Sequence, residues 1–197
     1  MSTTCPIKNR QDLEQFKSYY LVEKSRLRNY TLIIFGLNTA LRISDILKLR
    51  WKDVYCEEKG CCLSHVELIE QKTGKRSIVA MNEPVIQALL MYRQYCAKGN
   101  QAVCGERYLF ESSRRKESPI SRYQAYRIIK EAGAYAGLCE HISCHSLRKT
   151  FGYYAWKQGT PPAMLMSIYN HSSYQITKRY LCIDQEDRDE VFLNVKL

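Results

Sequence analysis

Two imidazoles, a guanidinium and a phenol fall within the last quarter of the chain. They sit in Cys144-His145-Ser146-Leu147-Arg148-Lys149-Thr150, Asn170-His171 and Tyr180. A guanidinium makes a planar, two-pronged match to phosphate oxygens and stays charged at any working pH. A phenol is a nucleophile that leaves a covalent intermediate. None of these residues stands beside enough Cys, His or carboxylate partners to suggest a metal site. The set points to phosphate chemistry done without a metal, with the remaining positive charge supplied by the earlier chain.

Composition supports a polyanionic partner. The 197 residues carry a formal net charge of +10 and fifteen tyrosines, with an ordinary hydrophobic share of 45%. A folded basic chain of this kind favours nucleic acid over membrane, and a solvated basic surface with no cognate polyanion is the plainer alternative. The length suits one compact domain. The first twenty residues are polar and charged, unlike a secretory signal, and the apolar run Leu32 to Leu37 is too short to cross a bilayer. A cytoplasmic protein is therefore expected. Nine cysteines are scattered without a repeating spacing. Cys139 and Cys144, with His141 and His145 nearby, lack a second paired half, so reduced thiols are expected in place of zinc.

The elements that must hold these residues are mostly helical. Leu13, Phe16, Tyr20 and Leu21 recur at helical spacing between Asn9 and Lys24. A second helix is expected over Arg26 to Asn38 and a short one over Leu41 to Leu47, with Ser44 or Asp45 accepting free N–H groups in its first turn. The period then changes. Ser64 to Glu70 and Arg76 to Met81 alternate apolar with polar residues around Gln71-Lys72-Thr73-Gly74-Lys75, which predicts a β-hairpin with Gly74 at positive φ. A strand near Asp53 to Cys56 would make the sheet three-stranded. Helix returns over Glu83 to Ala97, then a loop over Gly99 to Pro119 around Tyr108-Leu109-Phe110. Helices follow over Ser121 to Ala136, Ser143 to Gln158 (stopped by Gly159), Pro161 to Tyr169, Ser172 or Ser173 to Leu181, and Asp184 to Asn194. The expected fold class is α+β, mainly α, with one small three-stranded antiparallel sheet.

The residues carry a family resemblance. Thr39-Ala40-Leu41-Arg42-Ile43-Ser44-Asp45 followed by Leu47 resembles the first arginine motif of the tyrosine recombinases, or phage integrases. Lys72 in a hairpin, His145-x-x-Arg148, His171 and Tyr180 are similar to the remaining motifs, in the same order. Tyr180 follows His171 by nine positions. The similarity covers about residues 8 to 183 of a single domain spanning 1–197, with 184–197 as a tail. It is like the short members such as the fimbrial phase-variation invertases, in which an N-terminal core-binding domain is absent; a chain truncated from a longer one is the alternative, although Met1-Ser2-Thr3-Thr4 looks like a natural start. The chain departs from the pattern at Asn170 and Ala40, where the family usually has Gly, at Cys144 for Pro, and at Cys182 for His.

The resemblance implies a role for each residue. Tyr180 attacks a DNA phosphodiester to give a 3′-phosphotyrosyl link and a 5′-hydroxyl, with no cofactor and no metal. Arg42, Arg148 and His171 donate to the non-bridging oxygens, where charge gathers in the transition state. His145 orients the site or takes the phenol proton, a satisfied structural histidine being the alternative. Lys72 protonates the leaving oxygen, with Lys75 as competitor. Asp45 orients an arginine, and clustered cations help the Tyr180 phenol ionise. Arg114, Arg115, Lys116, Arg122, Arg127 and Lys130 are candidate contacts to double-stranded DNA. The resemblance further implies four protomers on DNA, with a monomer compatible off it, and a tail that packs in cis or on a neighbour. A type IB topoisomerase would use the same residue set, and a catalytically silent DNA-binding regulator is a third reading.

Overall fold

A computed structural model describes residues 4–98, 104–138 and 141–196. In chain order these form α1 (Arg10–Val22), α2 (Leu27–Thr39), α3 (Ile43–Ile46), β1 (Tyr55–Cys56), β2 (Cys61–Cys62), β3 (His65–Ile69), β4 (Arg76–Ala80), α4 (Glu83–Lys98), α5 (Arg122–Tyr135), α6 (Cys144–Lys157), α7 (Pro162–Tyr169), α8 (Tyr174–Tyr180) and α9 (Gln185–Asn194). The mainly helical α+β class is the one found. The start of the loop expected from Gly99, and Cys139 of the weighed zinc spacing, lie outside the described residues.

Helix α2 is the centre of the fold because its middle, Leu32 to Leu37, is apolar on every side. Leu32, Ile33, Ile34, Phe35 and Leu37 are all buried, and α1, α4 and α6 pack around them. Gly36 lets α6 come close: a Cβ there would lie 2.5 Å from Leu147 Cδ1. Buried hydroxyls are satisfied, as where Thr31 Oγ1 donates to the Ala88 carbonyl at 3.1 Å. A smaller apolar cluster of Ala40, Leu165, Tyr169 and Leu181 joins the end of α2 to α7 and to the residue after α8. This second cluster underlies the candidate site.

The hairpin forms as expected, with Val66 opposite Val79 and Ile69 opposite Arg76. Gly74 has φ +67, and its N–H donates to the Glu70 carbonyl at 2.8 Å. The three-stranded sheet does not form among the described residues. Strand β1 pairs instead with β2, Tyr55 opposite Cys62, giving two separate two-stranded sheets. The cause is local: Gly60 at φ +65 folds the chain back within four residues, so Cys61 and Cys62 take the edge the hairpin would have used.

Serine caps set several helix starts. The hydroxyls of Ser121, Ser143 and Ser173 accept N–H groups in the first turns of α5, α6 and α8. The start of α3 differs from expectation. Arg42 is its N-cap, with extended backbone and no side-chain cap. Asp45 Oδ1 accepts the Gln71 N–H at 3.0 Å, far along the chain, and so ties α3 to the hairpin turn.

Candidate active site

The two arginines reach one place from opposite ends of the chain. Arg42 leaves the N-cap of α3, and Arg148 lies buried on the second turn of α6. The Arg148 guanidinium donates to the Ala40 carbonyl, two residues before Arg42, and at 3.4 Å to the Ile168 carbonyl. Ala40 itself has φ +54, the left-handed region that favours glycine, at a strain of roughly 1–2 kcal/mol. That backbone turn is what aims the Ala40 carbonyl at Arg148.

Tyr169 is the cushion beneath the site. Its ring is buried, its hydroxyl donates to the Arg148 carbonyl at 2.7 Å, and the Arg148 guanidinium lies 4.7 Å from the ring centroid. The same ring stacks on His171 at 5.6 Å and meets Tyr180 at 5.2 Å, while His171 and Tyr180 are 5.2 Å apart in an edge-on arrangement. Asn170, at φ 57, makes the left-handed turn that delivers His171, as its small polar side chain allows. His171 Nδ1 is 3.1 Å from Thr177 Oγ1, a fully buried residue of α8. Arg148, His171, Lys75 and Glu70 open onto a cleft of about 910 Å³ between the hairpin and α7.

Electrostatics correct one expectation. Burial pushes the Tyr180 phenol above its ordinary value, and the pull of Arg148 and Arg42 does not offset it. The phenol is therefore neutral near pH 7, and ionising it requires a base. Burial, then Arg148 and Arg42, hold His171 below the ordinary histidine range. His145 is an exposed residue whose ring is partly desolvated. That desolvation first, then Lys149, Arg148, Arg122 and Arg42, holds it low as well. His145 and Arg148 are one turn apart on α6.

Glu70 takes the part expected of Asp45. The Arg42 guanidinium is bonded at 2.7 Å to Glu70 Oε2, and Asp45 makes its described bond to the hairpin backbone. Asp45 Oδ2 is buried without a partner among the described residues. Glu70 was hidden because nothing in local spacing pairs it with an arginine 28 positions earlier. Tyr169 was equally hidden, as one tyrosine among many.

The lysines and outer basic residues are more dispersed. Lys72 is exposed on the hairpin turn, whereas Lys75 Nζ bonds Asn170 Oδ1 at 2.7 Å beside His171. Arg114, Arg115 and Lys116 are exposed on a turn closed by the Glu111–Pro119 bridge. Arg122 opens α5 near enough to His145 to act on its charge, and Arg127 shares the exposed side with Tyr123 and Tyr126. Lys130 is half-buried on the same helix. No group of three His, Cys, Asp or Glu suited to a metal ion occurs among the described residues, and no described helix is long and apolar enough to cross a membrane.

Comparison with known proteins places this geometry. The sequence model of the phage integrase family matches residues 9–187. "Probable integrase/recombinase YoeC" of Bacillus subtilis (strain 168) is 42% identical over 181 residues, covering 92% of this chain and 91% of that one. "Type 1 fimbriae regulatory protein FimE" of Escherichia coli (strain K12) is 27% identical over 153 residues, 78% of this chain and 73% of that one. The crystal structure of XerH site-specific recombinase, bound to its palindromic difH substrate in a post-cleavage complex, superposes with a TM-score of 0.72 at 20% identity. It covers 96% of this chain, which spans about half (51%) of that one. A match running through nearly every element that holds the two arginines, His171 and Tyr180 leaves one conclusion: the chain belongs to the phage integrase family of tyrosine recombinases.

Proposed function

We propose that this protein is a site-specific DNA recombinase that cleaves and rejoins double-stranded DNA through a 3′-phosphotyrosyl intermediate on Tyr180. The observation that carries the reading is the convergence of Arg148, His171 and Tyr180 around the Tyr169 ring, with Arg42 two residues from the carbonyl that Arg148 holds. Arg42, Arg148 and His171 donate to the non-bridging phosphate oxygens. With the Thr177 hydroxyl turned from the Ser173 carbonyl, 3.4 Å away, to His171 Nδ1 at 3.1 Å, the proton of the neutral ring stays on Nε2 to serve phosphate. His145, held neutral, takes the phenol proton as the Tyr180 oxygen bonds to phosphorus. The P–O5′ bond breaks, and Lys72 returns a proton to the leaving oxygen. The bond energy is kept in the phosphotyrosine, so no energy cofactor is needed.

Binding would rest on Arg114, Arg115, Lys116, Arg122, Arg127 and Lys130, with salt-sensitive affinity. Assembly to four protomers on DNA, in the cytoplasm, fits a tail fastened as far as Glu190, which pairs with Lys157, and exposed beyond it. Asp187 is buried and accepts from Tyr153 Oη at 2.6 Å and Lys8 Nζ at 2.9 Å, whereas Phe192 and Leu193 are each 75% exposed. Those apolar side chains suit a neighbouring protomer.

The test is covalent capture on a nicked suicide duplex built from inverted repeats flanking the coding region. The protein is expected to form a denaturation-resistant adduct, in excess chelator as well as without it. Tyr180→Phe should abolish the adduct and keep salt-dependent binding. A normal adduct with Phe at 180 sinks the assignment. A two-site plasmid assay separates recombination from nicking and resealing, because a topoisomerase changes linking number without joining different sites.

A further inference from the structure

One oxygen in the site has two partners on two different elements. Glu70 Oε2 accepts from Arg42 Nη1 at 2.7 Å and from Thr73 Oγ1 at 2.7 Å. The Glu70 backbone closes the same turn, its carbonyl taking the Gly74 N–H at 2.8 Å and its N–H donating to the Lys75 carbonyl at 2.9 Å. Lys72 lies inside that turn, exposed and directed at no described partner. Both charged side chains of the pair are largely covered, with 16% of Arg42 and 10% of Glu70 exposed. The carboxylate stays ionised. Burial opposes this, but the Thr73 hydroxyl and the Arg42 guanidinium together hold it below the ordinary carboxylate range.

We propose that Glu70 is a positioning residue that stands in for the DNA phosphate on Arg42 in the free protein and, through the same oxygen, keeps the Lys72 turn locked until phosphate displaces it. The inference rests on the phosphodiester reading of Arg42 given above. An end-on grip on phosphate takes both Arg42 Nη groups, one of which Glu70 holds, and a carboxylate and a phosphodiester in contact repel. A phosphate arriving at Arg42 therefore drives Glu70 away. Glu70 cannot leave without letting go of Thr73, so the turn loosens and Lys72 becomes free to move. The lysine is thus released only when a phosphate is in place, which couples substrate binding to arming of the acid. Asp45, bonded to the Gln71 N–H, holds the near end of the turn meanwhile and gives the motion a fixed pivot.

The experiment uses the full chain in a Tyr180→Phe background, so that it needs no covalent chemistry. Absence of an adduct with Tyr180 intact would end the cleavage reading and leave these measurements standing. The first readout is amide hydrogen exchange across residues 70–76 in the free protein. Glu70→Gln and Thr73→Val should each speed it about tenfold, the loss expected for a hydrogen bond to a charged group. Wild type should reach that rate only when the inverted-repeat duplex is bound. The second readout is affinity for that duplex. Glu70→Gln should bind about tenfold tighter, because Arg42 no longer has a resident anion to shed. Thr73→Val, which keeps the ion pair, should stay close to wild type. Weaker or unchanged binding by Glu70→Gln overturns the proposal, since a residue that merely braced Arg42 could only lower affinity when lost. Unchanged exchange in Thr73→Val overturns it too, and that variant serves even if Glu70→Gln folds poorly.

Discussion

Replacing Gly152 by alanine places a methyl group where the site has no room. The new Cβ would lie 2.3 Å from Tyr169 Oη, 2.6 Å from Leu181 Cδ2 and 2.8 Å from Tyr169 Cζ. Forcing a methyl into such a core costs about 1–3 kcal/mol. Pushing the Tyr169 hydroxyl off the Arg148 carbonyl leaves a buried polar group unpaired, at about another 1–3 kcal/mol. Alanine returns about 1 kcal/mol through its helix propensity. The net is about 3 kcal/mol of destabilisation, or roughly a 10 °C fall in Tm for a chain of this length. The Tyr169 ring also underlies Arg148, His171 and Tyr180, so a shift of about 1 Å should slow adduct formation on the order of a hundredfold. Thermal unfolding and single-turnover capture on the suicide duplex read the two effects. Tyr169→Phe added to Gly152→Ala removes the nearest atom and should restore part of the lost stability. A Gly152→Ala protein with unchanged Tm and unchanged capture would refute the claim that Tyr169 is a rigid support.

The two hairpin lysines separate on a substrate whose bridging 5′ oxygen is sulfur, because a thiolate leaves without a proton. Lys72→Ala should be slow on ordinary DNA and close to wild type on the sulfur substrate, and rescue of Lys75→Ala instead would transfer the role to the lysine that now bonds Asn170. The histidines give a pH dependence of definite sign. His145 and His171 are held below the unfolded value of about 6.5, so between the two values the unfolded chain binds more protons. Their contribution to stability is complete above about pH 6.5 and is lost as pH falls toward the folded values. Unfolding free energy measured from pH 7.5 to 5 should drop, and a flat profile, or an imidazole titration by NMR above 6.5, contradicts the burial argument.

The helices were legible because their signals are local. Ser121, Ser143 and Ser173 stand where caps are needed, and the apolar run of α2 marks a helix buried on all sides. Gly74 announced its positive-φ turn for the same reason. The misreadings concern distance and burial. The pairing of β1 with β2 was decided by a turn at Gly60 that competes with a longer connection. The carboxylate on Arg42 is Glu70 and not Asp45, a choice made by the folded hairpin 28 positions on. Tyr180 looked activated when only neighbouring cations were counted. Its phenol is raised because desolvation outweighs them, and a sequence carries no record of desolvation.

The two fastenings around α8 set how far the Tyr180 oxygen can travel. Upstream, Thr177 is fully buried and bonded to His171; downstream, Asp187 is buried and gripped by Tyr153 and Lys8. Tyr180 is three residues from the first anchor and seven from the second. Three extended residues span about 10 Å, so even with the last turn of α8 unwound the tether is short. On the proposed mechanism, a nucleophile on so short a lead would serve a phosphate held by its own chain. To reach one held by a neighbour, Thr177 would first have to release His171, and the donor would be lost in the act of lending the nucleophile.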